Sequence, residues 1–171
     1  SEGEVLLLGR SVGKLSPKEA ADLRKKSLGF IFQTYNLLPV YTVYENVEFP
    51  LLLLGLTEGM RRKMVMEALD WVGLASRADS RPSRLSGGEC QRVAIARAMV
   101  KKPILVLADE PTANLDAANS HHILQTMERL NRELGTSFLF ATHDEKVIGY
   151  VRRKVKLDDG RLAADEIVTP N

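Results

Sequence analysis

Apolar positions recur along this chain with two different periods, and the switches between them predict the order of its elements. Val5 to Leu8 and Gly29 to Phe32 are short apolar runs suited to strands. Between them Pro17 to Lys25 is charged and reads as a helix, with Ser16 and Glu19 at capping-box spacing and Pro17 at the first helical position. From Thr42 to Ser76 the period becomes helical: Val43, Val47, Leu51 and Leu54 share one face, and Val65, Ala68, Leu69 and Val72 share another. An alanine-rich helix beginning at Gly87 follows, then a strand from Ile104 to Ala108. A long helix from Asp116 to Leu134 has an apolar stripe of Ile123, Met127, Leu130 and Leu134. Phe138 to Ala141 and Val155 to Leu157 are further strands, the second ending in the turn Asp158-Asp159-Gly160-Arg161. Apolar strands alternating with helices predict an α/β fold whose parallel sheet is covered on both faces.

Composition narrows what such a fold can do. With 171 residues there is room for one domain, and 24 basic residues against 22 acidic ones leave a net charge of only +2. The one short basic run, Arg152-Arg153-Lys154, leads into a strand and reads as a solvated edge, so no nucleic-acid partner is expected. A single cysteine excludes an intrachain disulfide and fits a reducing compartment. Cys90 itself reads as a small side chain facing solvent or a neighbouring loop. The most apolar stretch, Phe49 to Leu54, falls well short of the roughly 20 residues a spanning helix needs. No signal-peptide pattern opens the chain.

Candidate chemistry lies where strands end and one helix begins. Ser86 and Glu89 have capping-box spacing, and Gly87 and Gly88 in the first turn leave N–H groups open to an approaching anion. In an open parallel sheet ligands bind beyond the carboxyl ends of the strands, so Asp109, Glu110 and His143 should converge on one rim, partly dry because Ile104 to Ala108 is apolar. Thr142 and Glu145 again have capping-box spacing around His143. Gln33 is the first polar residue after Gly29 to Phe32. His121 and His122 share no metal-like spacing and read as solvated.

The string Leu85-Ser86-Gly87-Gly88-Glu89-Cys90-Gln91-Arg92 resembles the signature motif of ABC-type ATPases. Asp109-Glu110 resembles the family's Walker B end, Asn114-Leu115-Asp116 its D-loop, Thr142-His143-Asp144 its switch histidine and Phe32-Gln33 its Q-loop, all in the family's order. Gln33 to Pro39 and Lys156 to Arg161 look most like the lipoprotein-release and macrolide-export branch. The resemblance implies a P-loop NTPase (RecA-like) sheet with an inserted helical subdomain over about residues 42–101, within a single domain spanning 1–171.

It also implies roles. Asp109 would serve Mg2+ through a bound water, Gln33 would reach the metal or the water with its amide oxygen, Glu110 would orient or deprotonate the water attacking the γ-phosphate of ATP, and His143 would contact that phosphate. Ser86, Gly87, Gly88, Glu89 and Asp116 would complete the nucleotide site of a second, head-to-tail ATPase domain, a homodimer mate or a paralogue. Tyr35 to Tyr44 and the helical insert are either plain core or the seat for a short helix of a membrane permease. The implied place is cytoplasmic, peripheral to the inner or plasma membrane through that permease.

One family element is not found. The family's phosphate loop, G-x-x-x-x-G-K-[ST], precedes the Q-loop, and the nearest string here is Gly9-Arg10-Ser11-Val12-Gly13-Lys14-Leu15-Ser16. Three residues instead of four separate its glycines, and Leu15 stands where the hydroxyl belongs. The expectation is therefore an N-terminally incomplete domain, inactive alone, whose parent is an ATPase subunit of an export-type transporter. Two other readings are a soluble, non-transport ATPase of the same family and a non-catalytic module that completes a partner's site.

Overall fold

The computed structural model describes residues 3–168. A three-stranded parallel sheet, in the order β3 (Leu28–Ile31), β4 (Leu105–Asp109), β5 (Ser137–Ala141), carries the site at its carboxyl ends. Among the described residues six α-helices surround it or branch from it: α1 (Pro17–Ser27), α2 (Val43–Leu52), α3 (Glu58–Trp71), α4 (Gly87–Met99), α5 (Ala117–Leu134) and the short α6 (Glu145–Ile148). The helix starts follow the sequence closely. Ser16, Thr42 and Ser86 each close a capping box, with Glu19, Glu45 and Glu89 respectively.

Helix α4 is the spine of the molecule. Its Val93, Ala94, Ile95, Ala96 and Met99 are fully buried, and it packs on α2, α3, α5 and β3. The two predicted apolar faces meet it, with Val43, Val47 and Leu51 of α2 and Val65, Ala68 and Leu69 of α3 all buried in one core. Close approach of β3 to α4 requires Gly29: a Cβ there would stand 2.8 Å from Ala98 O and 2.9 Å from Val106 Cγ2. The stripe on α5 is also core, since Ile123, Met127 and Leu130 are buried and Leu134 packs against them.

Three expectations need correction. Among the described residues the sheet is fully covered on one face only: Gly29, Ile31, Val106 and Ala108 are buried, but the alternate positions Leu28, Phe30, Leu105 and Leu107 are half-buried and Leu139 is exposed. The apolar run Val5 to Leu8 does not join that sheet. Leu8 and Gly9 turn through positive φ, so β1 (Leu6–Leu7) folds back antiparallel on β2 (Arg10–Ser11). Val155 to Leu157 lies within β6 (Arg153–Asp158), whose partner β7 (Arg161–Ile167) sequence reasoning missed. The strand β7 carries Ala163-Ala164-Asp165-Glu166, which has no alternation to signal it; pairing after the Asp159-Gly160 turn makes it a strand, with Arg153 forked onto Asp165 at 2.8 and 2.6 Å.

Candidate functional site

Parallel pairing sets the rim. Asp109 is the last residue of β4 and lies opposite Ala141, the last of β5, and the ladder runs one step further because Glu110 N donates to Ala141 O at 2.9 Å. Glu110 then turns with φ 44°, which aims its side chain at the chain leaving β5. Its Oε2 accepts from Thr142 Oγ1 at 2.8 Å, and its Oε1 accepts from His143 N at 3.2 Å and lies 2.5 Å from His143 Nδ1. Partial burial would raise the Glu110 pKa, but the bonds from Thr142 and His143 outweigh it and hold the carboxyl below its ordinary value.

Sequence reasoning placed Asp109, Glu110 and His143 on one rim, and Glu110 and His143 do touch. The rim is wetter than expected. Asp109 is exposed and the His143 side chain is 90% exposed, whereas that of Glu110 is 19% exposed. The Thr142–Glu145 capping box does not form. Asp144 caps α6 instead, through Lys146 N, and this frees the Thr142 hydroxyl for Glu110.

Gln33 and Asp116 belong to the loops on either side. Asn114 Nδ2 donates to Gln33 O at 2.9 Å and so ties the loop after β3 to the one before α5. Asp116 caps α5, with Oδ1 accepting from Asn119 N and Oδ2 from Asn119 Nδ2, each at 2.8 Å. Those bonds pull the Asp116 carboxyl below its ordinary pKa. Asn119 in turn abuts the signature turn: a Cβ on Gly88 would stand 2.5 Å from Asn119 Oδ1. Gly88 is therefore buried by its own chain rather than open to an approaching anion, a correction to the picture of two uncovered glycines. Ser86 and Glu89 form the expected capping box, and the Ser86 N–H on Glu89 Oε2 at 2.8 Å depresses the Glu89 pKa. Cys90 is half-buried with Sγ 3.7 Å from Pro82 O, and burial pushes its thiol pKa up, as suits an inert neighbour of a loop.

Two residues that sequence reasoning did not single out join these pieces. Gln91, buried on α4, donates from Nε2 to Pro111 O at 2.7 Å and so fastens the signature helix to the turn after Glu110. Arg97, further along the same helix, holds the loop after Gln33. A polar residue on the buried face of an alanine-rich helix was the available signal for Gln91.

The candidate phosphate loop is not one. Val12–Lys14 is a single 3-10 turn, α1 starts afresh from the Ser16 cap, and Lys14 faces solvent near Glu4 at 3.2 Å. As for a metal, the described residues hold no cluster of three or more carboxylate, imidazole or thiol groups. A lone exposed Asp109 carboxylate, with the Gln33 amide on the loop after the neighbouring strand, fits a hard cation that keeps water and phosphate ligands, as Mg2+ does, better than an all-protein cage.

A family model described as ABC transporter matches residues 1–113, two thirds of the chain. The chain belongs to the ABC transporter family. Solved structures extend the likeness over nearly all of it. The dimeric ATP-binding cassette MJ0796, in a post-hydrolysis state bound to ADP and Pi, is 37% identical over 98% of this chain and 74% of its own, with a TM-score of 0.86. CbiO1 from Clostridium perfringens, part of the ABC transporter complex cbiONQ, is 31% identical over 96% of this chain and 66% of its own, with a TM-score of 0.88. The fold is thus that of an ABC ATPase, and the parent protein is an ATP-binding ATPase of that family. No helix among the described residues is long and apolar enough to cross a membrane.

Proposed function

We propose that this chain is the ATP-hydrolysing part of an export-type ABC transporter that works as a head-to-tail dimer around ATP. The observation that carries the reading is the grip of Thr142 and His143 on Glu110 at the end of β4. Phosphoryl transfer asks little covalent work of a protein; it needs a metal to neutralise charge and a fixed group to place the nucleophile. Glu110, ionised and fixed, orients or deprotonates the attacking water. His143, hinged on Glu110 and otherwise open to solvent, contacts the γ-phosphate. Mg2+ would supply charge neutralisation when bound, and Asp109 and Gln33 are the residues that would hold it and its water.

Ser86, Gly87, Glu89 and Asp116 serve the facing domain's nucleotide, and Gly88, packed against Asn119, lets the start of α4 sit close to α5. MJ0796, similar over nearly the whole chain, is solved as a dimer, which supports the pairing. The helical subdomain spans about residues 42–101 and, with the loop from Tyr35 to Tyr44, seats a permease's cytoplasmic helix. Leu38, Val40, Phe49, Leu52 and Leu53, apolar and left exposed on these segments, support that role over plain core. The protein is then peripheral to the membrane on its cytoplasmic side.

Glu110→Gln in the full-length protein tests the reading. It removes the basic carboxylate and keeps the shape, so an ATP-bound dimer should accumulate and be seen by size exclusion. A variant that stays monomeric with ATP, or turns over at the wild-type rate, would refute it.

A further inference from the structure

Arg97 lies near the end of α4, about 15 Å along the helix from Gly87. Its guanidinium is spent on a distant loop: Nη1 donates to Asn36 O and Nη2 to Tyr35 O, both at 2.6 Å. Burial lowers its pKa, and among the described residues it forms no ion pair. The loop is one that needs holding. Tyr35 and Asn36 are consecutive non-glycine residues at φ 59° and 48°, a left-handed pair that persists only when its surroundings impose it. The same turn touches the other end of α4, where a Cβ on Gly87 would stand 3.1 Å from the Tyr35 hydroxyl. Gln33, two residues before Tyr35, is tied to Asn114.

We propose that Arg97 is a positioning residue that locks the Tyr35–Asn36 turn onto the signature helix, so that Gln33 and the Gly87 end of α4 move as one body. The proposal rests on the reading of Gln33 as a residue facing metal or water. A planar fork satisfies two carbonyls at once, with a directionality that the flexible ammonium of lysine lacks. The guanidinium therefore fixes the direction of the loop as well as its distance from the helix.

The test is a double-mutant cycle on ATP turnover by the full-length protein, with Gln33→Ala, Arg97→Met and Arg97→Lys. If Arg97 acts through Gln33, Arg97→Met lowers kcat about 10-fold with KM for ATP changed less than about 2-fold, and adding it to Gln33→Ala costs nothing more. Arg97→Lys falls between, and amide exchange at residues 35 and 36 quickens in both Arg97 variants. Losses that multiply in the double variant, or exchange at 35 and 36 as slow as in the wild type, overturn the proposal. Should Arg97→Met not fold, the cycle with Arg97→Lys decides between the same two outcomes. Wild-type turnover by Gln33→Ala is a different result: it overturns the reading of Gln33, and the proposal with it.

Discussion

Thr142 orients Glu110 by geometry rather than by charge. Its Oγ1 donates to Glu110 Oε2 at 2.8 Å while accepting from Asp144 N at 3.0 Å. A hydroxyl has one proton, so with Asp144 N–H on its lone pair that proton is directed at the carboxylate. Asp144 is itself anchored, since Oδ2 accepts from Thr112 Oγ1 at 3.2 Å. The result is a chain of fixed groups from buried Thr112 to the end of β4.

Thr142→Val keeps the branched shape and removes the donor. Turnover should fall about 10-fold while the melting temperature changes little, because the carboxylate regains water more readily than it regains direction. Thr142→Ser should restore most of the rate. Equal activity in the valine and serine variants would show that the hydroxyl does not matter.

Stability should depend on acid through the capping glutamates. Glu89, Glu45 and Glu19 all sit below the ordinary glutamate value of 4.5, held there by N–H and hydroxyl donors at their caps. A depressed folded pKa contributes stability that is present above the unfolded value and is lost as pH falls through the folded one. The melting temperature should therefore hold down to about pH 5 and drop below about 4.5. Glu89→Gln, which can still accept from Ser86 N, should make that drop shallower. An unchanged acid slope in this variant would remove Glu89 from the account.

Gly88→Ala should destabilise the fold through its own chain. The added Cβ meets Asn119 Oδ1 at 2.5 Å and Cγ at 2.9 Å, and Asn119 is pinned by two bonds to Asp116. A clash of this kind costs about 1–3 kcal/mol, more than the roughly 1 kcal/mol that alanine gains over glycine within a helix. Combining it with Asn119→Ala should give a protein more stable than the two losses summed, measured by denaturant unfolding. Strict additivity would mean that Gly88 and Asn119 do not press on one another.

What the sequence made legible was local. Capping boxes at Ser16 and Ser86, and the apolar stripes of α2, α3 and α5, depend on residues three and four apart, and all appear where the spacing put them. Asp109 and Glu110 were readable because a strand must end where carboxylates replace apolar residues. Thr142 was misread because its spacing to Glu145 satisfied a local rule while its partner stood 32 residues away. Gln91 and Arg97 were missed for the same reason, their partners lying 20 residues off for the first and 61 and 62 for the second.

The same contrast gives a test at the N-terminal end. Lys14 imitates a phosphate-loop lysine in sequence, yet it follows a hairpin and faces solvent, with Glu4 as its partner. Lys14→Ala should leave ATP affinity and turnover of the full-length protein unchanged. A 10-fold loss of affinity, about 1.4 kcal/mol, would return this segment to the nucleotide site.

The signature serine separates stability from function most cleanly. Ser86 caps α4, and losing the cap costs about 0.5–2 kcal/mol, so Ser86→Arg should still fold. Placed against a facing domain's γ-phosphate, however, the arginine is a bulky obstruction where backbone must come close. Full-length Ser86→Arg and Glu110→Gln subunits should each be nearly inactive alone. Mixed, they answer whose site the signature serves. If it serves the neighbour, the Glu110→Gln chain's site receives the mutant signature and carries both defects, while the other site keeps Glu110 and receives an intact Ser86. Activity then partly returns, provided a control shows that one intact site suffices. If the signature serves its own chain, each site carries one defect and nothing returns. Absence of recovery, with mixed dimers demonstrated and single-site activity established, would place Ser86 in the site of its own chain and end the head-to-tail reading.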